Sequence, residues 1–551
     1  MASWVRRLLE LAFVAVGLVL VIAPTVVLAV GSFGNWDEGS GHSAWAILGW
    51  AGVQAILMNT LELAVIVTVA TCAIAVLLVF LMQRSSRRMV VWILPVLLLP
   101  MLADQLARNY GWYFILRTDG ILNQALLSTD LVKKPIQFLY TSRTVAMAMI
   151  QGLFPLAVAP LLLAVALLDP SVVTVARSLG ATALRTLTRV VGPLLQPGLI
   201  LGGCFVFATS FGYYITPKML GGSEGMTIAA LIDQRVNLLL DWPGASVLAT
   251  LLALIAFVAM GVFFYAFGAL EPVSGFTAVP APSRRGTSPW LGGSLWVLVL
   301  ALVVTPIAPI IVTSFTKTNY LTFPPSGFGL QWYSTAITSP QWLSAWRVSI
   351  IVATAAAFLA TALSTGGVLL AARSRELRVV ALIIVSLPLL LSPLAMAIGI
   401  YRALVAIGLT NEWPRLILGH TIRALPFPAF TLFLAARYLD PTLVKAVRVY
   451  GGERLVSWFR ALGPHFLPSI AVGFIFGWLA SFSDLEYSLF LGGPSTITLP
   501  IRVWSQLYYA VDPSVAAAAT ASTLLGAALI FVAFEVVRSA AGNALVRGAA
   551  T

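Results

Sequence analysis

The 551-residue sequence predicts an all-α membrane protein of about 12 transmembrane helices, arranged as two homologous six-helix halves. Hydrophobic residues make up 60% of the chain and charged residues only 10%, whereas about a quarter of an average soluble protein is charged. Apolar stretches of about 20 residues, the length of a helix that crosses a bilayer, recur along the chain. They are continuous rather than alternating, which excludes a closed β-barrel.

Six apolar stretches fall in each half. Those of the first half are residues 8–31, 56–82, 89–103, 144–167, 196–216 and 247–269. Those of the second half are residues 291–313, 347–371, 379–405, 416–436, 469–491 and 516–537. We therefore expect a first half at 1–269, a cytoplasmic linker at 270–290 that is rich in Pro, Ser and Gly, and a second half at 291–551.

One polar segment of the chain occurs twice. LDPSVVTVARSLGATALRTLTRVVGPLLQP, at 168–197, aligns without a gap with LDPTLVKAVRVYGGERLVSWFRALGPHFLP, at 439–468, at an offset of 271 residues. The shared residues include Asp169, Pro170, Arg177, Gly180, Arg189 and Pro193, which recur as Asp440, Pro441, Arg448, Gly451, Arg460 and Pro464. Chance similarity between apolar helices would match leucine and valine, but not Asp-Pro and Gly-Pro. The two halves are therefore homologous.

Each copy of this segment predicts a short helical hairpin at the membrane surface. Asp169 caps the first helix, and Pro170 occupies its first turn, where a missing N–H is harmless. Gly180 supplies the positive φ that ends this helix. A second helix over 182–191 is expected to stop at the Gly-Pro pair that follows it. Each hairpin carries one arginine on each arm.

Charge placement gives the expected orientation of the chain. With both termini in the cytoplasm, the inner segments carry 20 of the 33 cationic residues and seven acidic residues. The whole formal charge of +13 then lies inside, as the positive-inside rule requires. Because topology accounts for the basic composition, we do not expect a nucleic-acid partner.

The hairpin spacing resembles the cytoplasmic loop of permeases from binding-protein-dependent ABC importers. That loop reads E-A-A, three residues, G, nine residues, I-x-L-P, and here nine residues separate Gly180 from Val190 and Gly451 from Ala461. The glutamate position departs from the pattern, because it holds threonine in one copy and lysine in the other. Segments 107–127 and 211–249 are similar to the first permease of the spermidine/putrescine-type subfamily, and 420–428 and 481–500 to the second. The chain thus resembles two permeases joined head to tail.

The resemblance implies a type I importer fold, whose halves are related by an approximate twofold axis along the membrane normal. It implies that the hairpins at 169–193 and 440–464 are coupling helices that dock on two ABC ATPase subunits. It also implies an extracytoplasmic binding protein that delivers a small polar solute, and a location in the bacterial cytoplasmic membrane.

The chain itself is not expected to be an enzyme. A Walker A loop needs glycine before its lysine, and none of the five lysines follows a glycine. ATP and Mg²⁺ are therefore expected on the partner ATPase, with no cofactor in this chain. The three histidines, His42, His420 and His465, are too far apart in sequence for a local metal motif, so we expect no metal site.

Asp484 and Glu486 are candidates for the substrate pathway, because ionisable residues within spans are costly and usually functional. If both lay on one helix they would point roughly 200° apart, so only one would face the pathway. The competing interpretation places Asp484 at the outer membrane boundary, paired with Arg423 or Arg402.

Tyr213 is the third candidate, because it aligns with Asp484 at the repeat offset. The rings of Tyr213 and Tyr214 would either face a cationic solute or lie at the bilayer interface. We slightly favour the interface for both.

Two other classes of membrane protein remain as alternatives. A secondary transporter also has parallel repeats, but it would need ionisable residues at mid-membrane, and few are present here. A membrane-bound enzyme would need a nucleophile with a base or a metal-ligand cluster, which the sequence does not offer. Within the importer interpretation, a polyamine is the first candidate solute, and a phosphonate or amino-acid-derived solute is the alternative.

Overall fold

The computed structural model describes residues 2–17, 19, 22–33, 44–85, 89, 93, 96–97, 100, 105–166, 170–269, 289–321, 323–371, 375–437, 463–509 and 512–548. Helices dominate this part of the chain. The first half contains α1 Ala2–Gly17, α2 Ala23–Phe33, α3 Ala44–Gly49, α4 Ala51–Arg84, α5 Gln105–Leu116, α6 Ile121–Ser128, α7 Ser142–Ala166, α8 Pro170–Ser178, α9 Ala183–Thr186, α10 Gly192–Phe211, α11 Ile215–Leu220, α12 Ile228–Asn237 and α13 Trp242–Ala269.

The second half repeats the later helices of the first. It contains α14 Pro289–Val304, α15 Ala308–Thr313, α16 Gln331–Thr338, α17 Pro340–Ala371, α18 Arg375–Leu390, α19 Pro393–Ala406, α20 Glu412–Ala424, α21 Pro426–Arg437, α22 Gly463–Phe482, α23 Glu486–Leu491, α24 Leu499–Tyr509 and α25 Ser514–Gly548. The bounds of α22 and α23 are those of α10 and α11 shifted by 271 residues, the offset of the sequence repeat. The sequence repeat is thus also a structural repeat.

The all-α membrane class is confirmed, while the number of spans stays a prediction. Seven helices in the described part of the chain are long and apolar enough to cross a membrane, or eight if one bent pair is a span. The predicted third span, 89–103, lies mostly beyond the described residues, as does most of the linker. The other predicted spans fall on shorter helices.

Prolines interrupt two of the predicted spans, which are therefore not single straight helices. The stretch 379–405 bends by 109° between α18 and α19. Pro393 causes this break, because the residue before a proline avoids the α conformation and Ser392 is accordingly extended, with ψ of 126°. Within the stretch 291–313, α14 ends at Val304 and α15 begins at Ala308. Pro306 lies between them, and it has no N–H to donate within a continuous helix.

The first helix of each half packs on the other half. In the first half, α1 contacts α17, where the ring of Phe13 lies over Gly367 with no room for a side chain. In the second half, α14 contacts α4, and the Trp296 indole donates a hydrogen bond to the Ser85 hydroxyl at 2.7 Å. This reciprocal exchange interlocks the two halves.

The largest buried apolar cluster also joins the halves. It combines Tyr214 and Leu248 of the first half with Leu394 and Leu491 of the second. Side chains on the outward face of α4, such as Val69, remain exposed, as expected for a surface that meets lipid. The two halves therefore share one buried core, which positions the sites described below.

Candidate functional site

The first hairpin has the turn that its sequence predicts. Helix α8 ends beside Gly180, which has φ of +83°. The Gly180 N–H donates to the Arg177 carbonyl and the Ala181 N–H to the Ala176 carbonyl, each at 3.0 Å. This pair of bonds is the Schellman motif, in which a left-handed glycine ends a helix. The prediction of a positive φ at Gly180 is confirmed.

The tip of this hairpin presents both apolar and cationic groups. Leu179 is 82% exposed, and Val175, one turn earlier, is also exposed. Arg177 and Arg189 are exposed on the two arms. A surface that combines apolar residues with arginines is typical of a protein-docking site.

The second arm differs from its prediction. The helix does not stop at Gly192-Pro193 but passes through a π-helical turn, Leu187–Val191, directly into α10. Pro193 has no N–H to donate, and a widened π turn before it lets the chain continue without a regular α-helical ladder.

Much of the second hairpin lies outside the described residues. This applies to Asp440, Pro441, Arg448, Gly451 and Arg460, and in the first hairpin to Asp169. Pro170 and Pro464 belong to α8 and α22, respectively.

The fifth span of each half breaks at the same place. Predicted as continuous helices over 196–216 and 469–491, both spans instead end at a phenylalanine, Phe211 and Phe482. A short helix follows each break, α11 in the first half and α23 in the second. The expectation that Asp484 and Glu486 share one helix is therefore wrong, because Asp484 lies in the break and Glu486 begins α23.

The Asp484 carboxylate is buried, and each of its two oxygens accepts a hydrogen bond. One oxygen accepts a hydrogen bond from Arg423 Nε at 2.8 Å, and the other accepts the backbone N–H of Tyr487, also at 2.8 Å. Of the two arginines considered from the sequence, Arg423 is thus the partner, whereas Arg402 donates to the Ser246 hydroxyl of the first half. His420, one turn before Arg423, is a packed residue whose ring nitrogens contact two serine hydroxyls.

The equivalent place in the first half holds a different arrangement, which sequence reasoning missed. Tyr213 stands where Asp484 stands, and Gly152 where Arg423 stands. Arg108, from α5, fills the missing position: its guanidinium lies against Gly152, and its Nη2 donates to the Tyr213 hydroxyl at 3.1 Å. The glycine at an arginine position was the only sequence signal of this substitution.

Both tyrosines of this break are buried in protein, so neither ring is exposed to lipid, and their depth in the bilayer stays a prediction. The Lys218 ammonium lies 5.1 Å from the centre of the Tyr214 ring and forms an ion pair with Asp233 at 2.6 Å. It also lies 5.4 Å from the Trp504 ring of the second half. Lys218 therefore joins the two halves beside the break.

Comparison with known proteins gives consistent matches. Residues 89–270 match the family described as binding-protein-dependent transport system inner membrane component. The chain is 30% identical to the spermidine/putrescine transport system permease protein PotB of Haemophilus influenzae over 207 residues, 37% of this chain and 72% of the relative. It is 29% identical to PotB of Escherichia coli K12 over 197 residues, 36% of this chain and 72% of the relative. It is 28% identical to the H. influenzae permease protein PotC over 247 residues, 44% of this chain and 94% of the relative.

Proposed function

Because the chain belongs to the inner-membrane components of binding-protein-dependent transport systems, we propose that it is the two-permease, membrane-spanning part of one ATP-driven importer. Two ABC ATPase subunits bind its cytoplasmic hairpins and carry the ATP and Mg²⁺. An extracytoplasmic binding protein delivers the solute to the outer face, and both termini lie in the cytoplasm of the bacterial cell.

The first hairpin is the observation that carries this proposal. Its glycine turn fixes the angle between α8 and α9, and the tip exposes Leu179 between arginine-bearing arms. Through the π turn the hairpin runs without interruption into α10, which leads to the break at Tyr213. A movement of an ATPase against the hairpin would therefore reach the substrate pathway along one continuous path.

The solute is a small polar molecule. The matched relatives are named as spermidine/putrescine permeases, which makes a polyamine the first candidate. An amino-acid-derived or phosphonate solute is the alternative. The Tyr213, Asp484 and Glu486 side chains line the pathway at the two span breaks.

Proline substitution in the hairpin turns tests the docking role. Gly180→Pro removes a positive φ and an N–H donor, and it is combined with Gly451→Pro at the equivalent position of the second hairpin. ATPase co-purification and transport-coupled ATP hydrolysis should fall at least tenfold, while membrane insertion persists. Gly408→Pro is the matched control, because Gly408 has φ of +82° and its N–H also bonds a carbonyl, but it lies outside the hairpins.

A surface variant tests the same contact without changing the backbone. Leu179→Ser should weaken ATPase binding, whereas Leu131→Ser, at a similarly exposed leucine of the predicted outer side, should not. Full ATPase coupling in both the double proline variant and Leu179→Ser would refute the docking role.

A further inference from the structure

The Lys218 side chain contacts equivalent positions of both halves. Its ammonium group forms an ion pair with Asp233 of α12, at 2.6 Å, and lies 5.4 Å from the centre of the Trp504 ring of α24. Asp233 and Trp504 are related by the repeat offset of 271 residues, and α12 and α24 begin at positions that this offset also relates. Two equivalent residues that flank one ammonium group lie close to the axis that relates the halves.

This contact lies beyond the end of the fifth span that is remote from the hairpin. Helix α10 begins next to the hairpin and ends at Phe211, and α11, which carries Lys218, follows the break. If the hairpin binds an ATPase in the cytoplasm, then α11, α12 and α24 lie on the extracytoplasmic side and form the outer mouth of the pathway. A pathway between two related halves follows their common axis, so a solute that enters from outside has to pass Lys218 and Trp504.

The strong bonds of Lys218 are made within the first half. Its ammonium group donates to the Tyr214 hydroxyl at 2.7 Å as well as to the Asp233 carboxylate. The other oxygen of this carboxylate accepts a hydrogen bond from the Asn237 amide at 2.7 Å. The Asp233 side chain is only 5% exposed, and a carboxylate so buried is stable only with such partners. Lys218 is therefore held firmly by its own half.

The contacts that cross to the second half are of a weaker kind. The Trp504 ring lies against the Lys218 ammonium group, and its centre is 6.5 Å from the centre of the Tyr214 ring, at a tilt of 53°. A cation–π contact at a partly exposed site is much weaker than a buried ion pair. Separation of the halves at this point thus breaks aromatic contacts to Trp504 and keeps the ion pair between Lys218 and Asp233.

We propose that Lys218 and Trp504 form a latch that holds the outer mouth closed, and that the mouth opens when Trp504 leaves the Lys218 ammonium group. The latch rests on the proposed importer function, because it controls access to the same pathway. The contact is weak enough to be broken in every transport cycle, so partners that prefer the open state need only a small differential affinity for it. The ion pair keeps Lys218 in place for the next closure.

Trp504→Leu tests the latch without leaving a charge unpaired. Leucine is apolar but has no aromatic face, and Lys218 keeps its bond to Asp233. With the ATPase subunits bound in lipid nanodiscs, ATP hydrolysis in the absence of binding protein should rise by about two- to fivefold, which corresponds to the loss of one cation–π contact. Trp504→Phe, which retains an aromatic face, should raise the rate less.

Trp332→Leu is the matched control. Trp332 is also a partly buried tryptophan of the second half on the predicted outer side, but its indole donates to the Thr318 carbonyl of the same half, at 3.1 Å. The rate of ATP hydrolysis without binding protein should not change in this variant.

Spin labels measure the width of the mouth itself. Leu239 follows α12 and Ile497 precedes α24, and both side chains are exposed, so a cysteine at each can carry a label once Cys72 and Cys204 are replaced by alanine. Trapping with ATP and vanadate should lengthen the distance between the labels. Trp504→Leu should shift part of the population to the longer distance without ATP, whereas Trp332→Leu should not.

A mutant cycle tests whether the ammonium group is the partner of Trp504. Lys218→Met combined with Asp233→Asn removes both charges together, and asparagine keeps an acceptor for the Asn237 amide. This pair should raise ATP hydrolysis about as much as Trp504→Leu does. Adding Trp504→Leu to the pair should then change the rate little, because the contact has already been lost.

An unchanged rate or distance distribution in Trp504→Leu, equal effects in Trp332→Leu, or fully additive effects in the mutant cycle would each overturn the latch. The distances are also measured on the chain in nanodiscs without ATPase subunits. A chain that shows the shift in Trp504→Leu but never binds the ATPases supports the latch and refutes the importer function. ATPase assembly without any change in Trp504→Leu refutes the latch alone.

Discussion

The two halves stabilise the break in their fifth span with different residues. In the second half, a carboxylate in the span break, Asp484, pairs with Arg423 from the preceding span. In the first half, the same two positions hold Tyr213 and Gly152, and an arginine enters from outside the repeated segment. One half therefore has a closed ion pair and the other an arginine bonded to neutral groups. Duplication has preserved the backbone of the break while the charges that stabilise it have diverged.

Removing Arg423 should cause the largest loss of stability. Arg423→Gln leaves the Asp484 carboxylate, only 1% exposed, without its cation, and breaking a buried pair in this way costs about 3–5 kcal/mol. We expect little folded transporter after detergent extraction, measured by size-exclusion chromatography. The double variant Arg423→Gln, Asp484→Asn should recover part of the loss. A normal yield from Arg423→Gln would show that the second half does not depend on its ion pair.

Asp484→Asn should have a smaller effect on stability. The arginine left behind is 26% exposed and thus less buried than the carboxylate, and asparagine keeps one acceptor for the Tyr487 N–H. We expect a loss of about 1–3 kcal/mol in unfolding free energy, which corresponds to an unsatisfied polar group. Thermal unfolding in nanodiscs measures it. If transport of a cationic solute falls severalfold while ATPase assembly is unchanged, Asp484 also contributes to the pathway.

Arg108→Gln should cost still less stability, because the bonds that it removes go to neutral acceptors. The expected loss is about 1 kcal/mol in unfolding free energy, measured by thermal unfolding in nanodiscs. An Arg108→Gln variant as unstable as Arg423→Gln would mean that the two halves depend equally on the arginine at the break.

The smallest predicted effect concerns Gly152. A Cβ added there would lie 2.8 Å from Arg108 Nη2, so Gly152→Ala should displace the guanidinium from the Tyr213 hydroxyl and lower the unfolding free energy by less than about 1 kcal/mol, measured by thermal unfolding. Gly203→Ala is the matched control, because its Cβ would meet only Cys72 Sγ at an ordinary 3.5 Å. Equal behaviour of the two variants would argue against a positioning role for Gly152.

The features that the sequence predicted correctly depend on local chemistry. Gly180 ends its helix because glycine adopts a positive φ readily, and the repeat offset correctly predicts which helices of the two halves correspond, without any knowledge of packing. The features that it missed depend on long-range packing. The bend at Pro393 could have been expected from the proline alone, but the entry of Arg108 into the position of Arg423 could not. Arg108 lies in a segment that the repeat does not align, and only the folded chain brings it to Gly152.

Because the first helix of each half packs on the other half, the order of synthesis decides when α1 can pack. Phe13 emerges from the ribosome early, whereas Gly367, its packing partner, follows about 350 residues later, on the order of 20–70 s at bacterial synthesis rates. During that interval α1 lies in the bilayer without the groove that will receive it. The packing of α1 is therefore completed only after the second half has been made, and carrying both halves on one polypeptide supplies the partner of α1 in the same membrane and in equal amount.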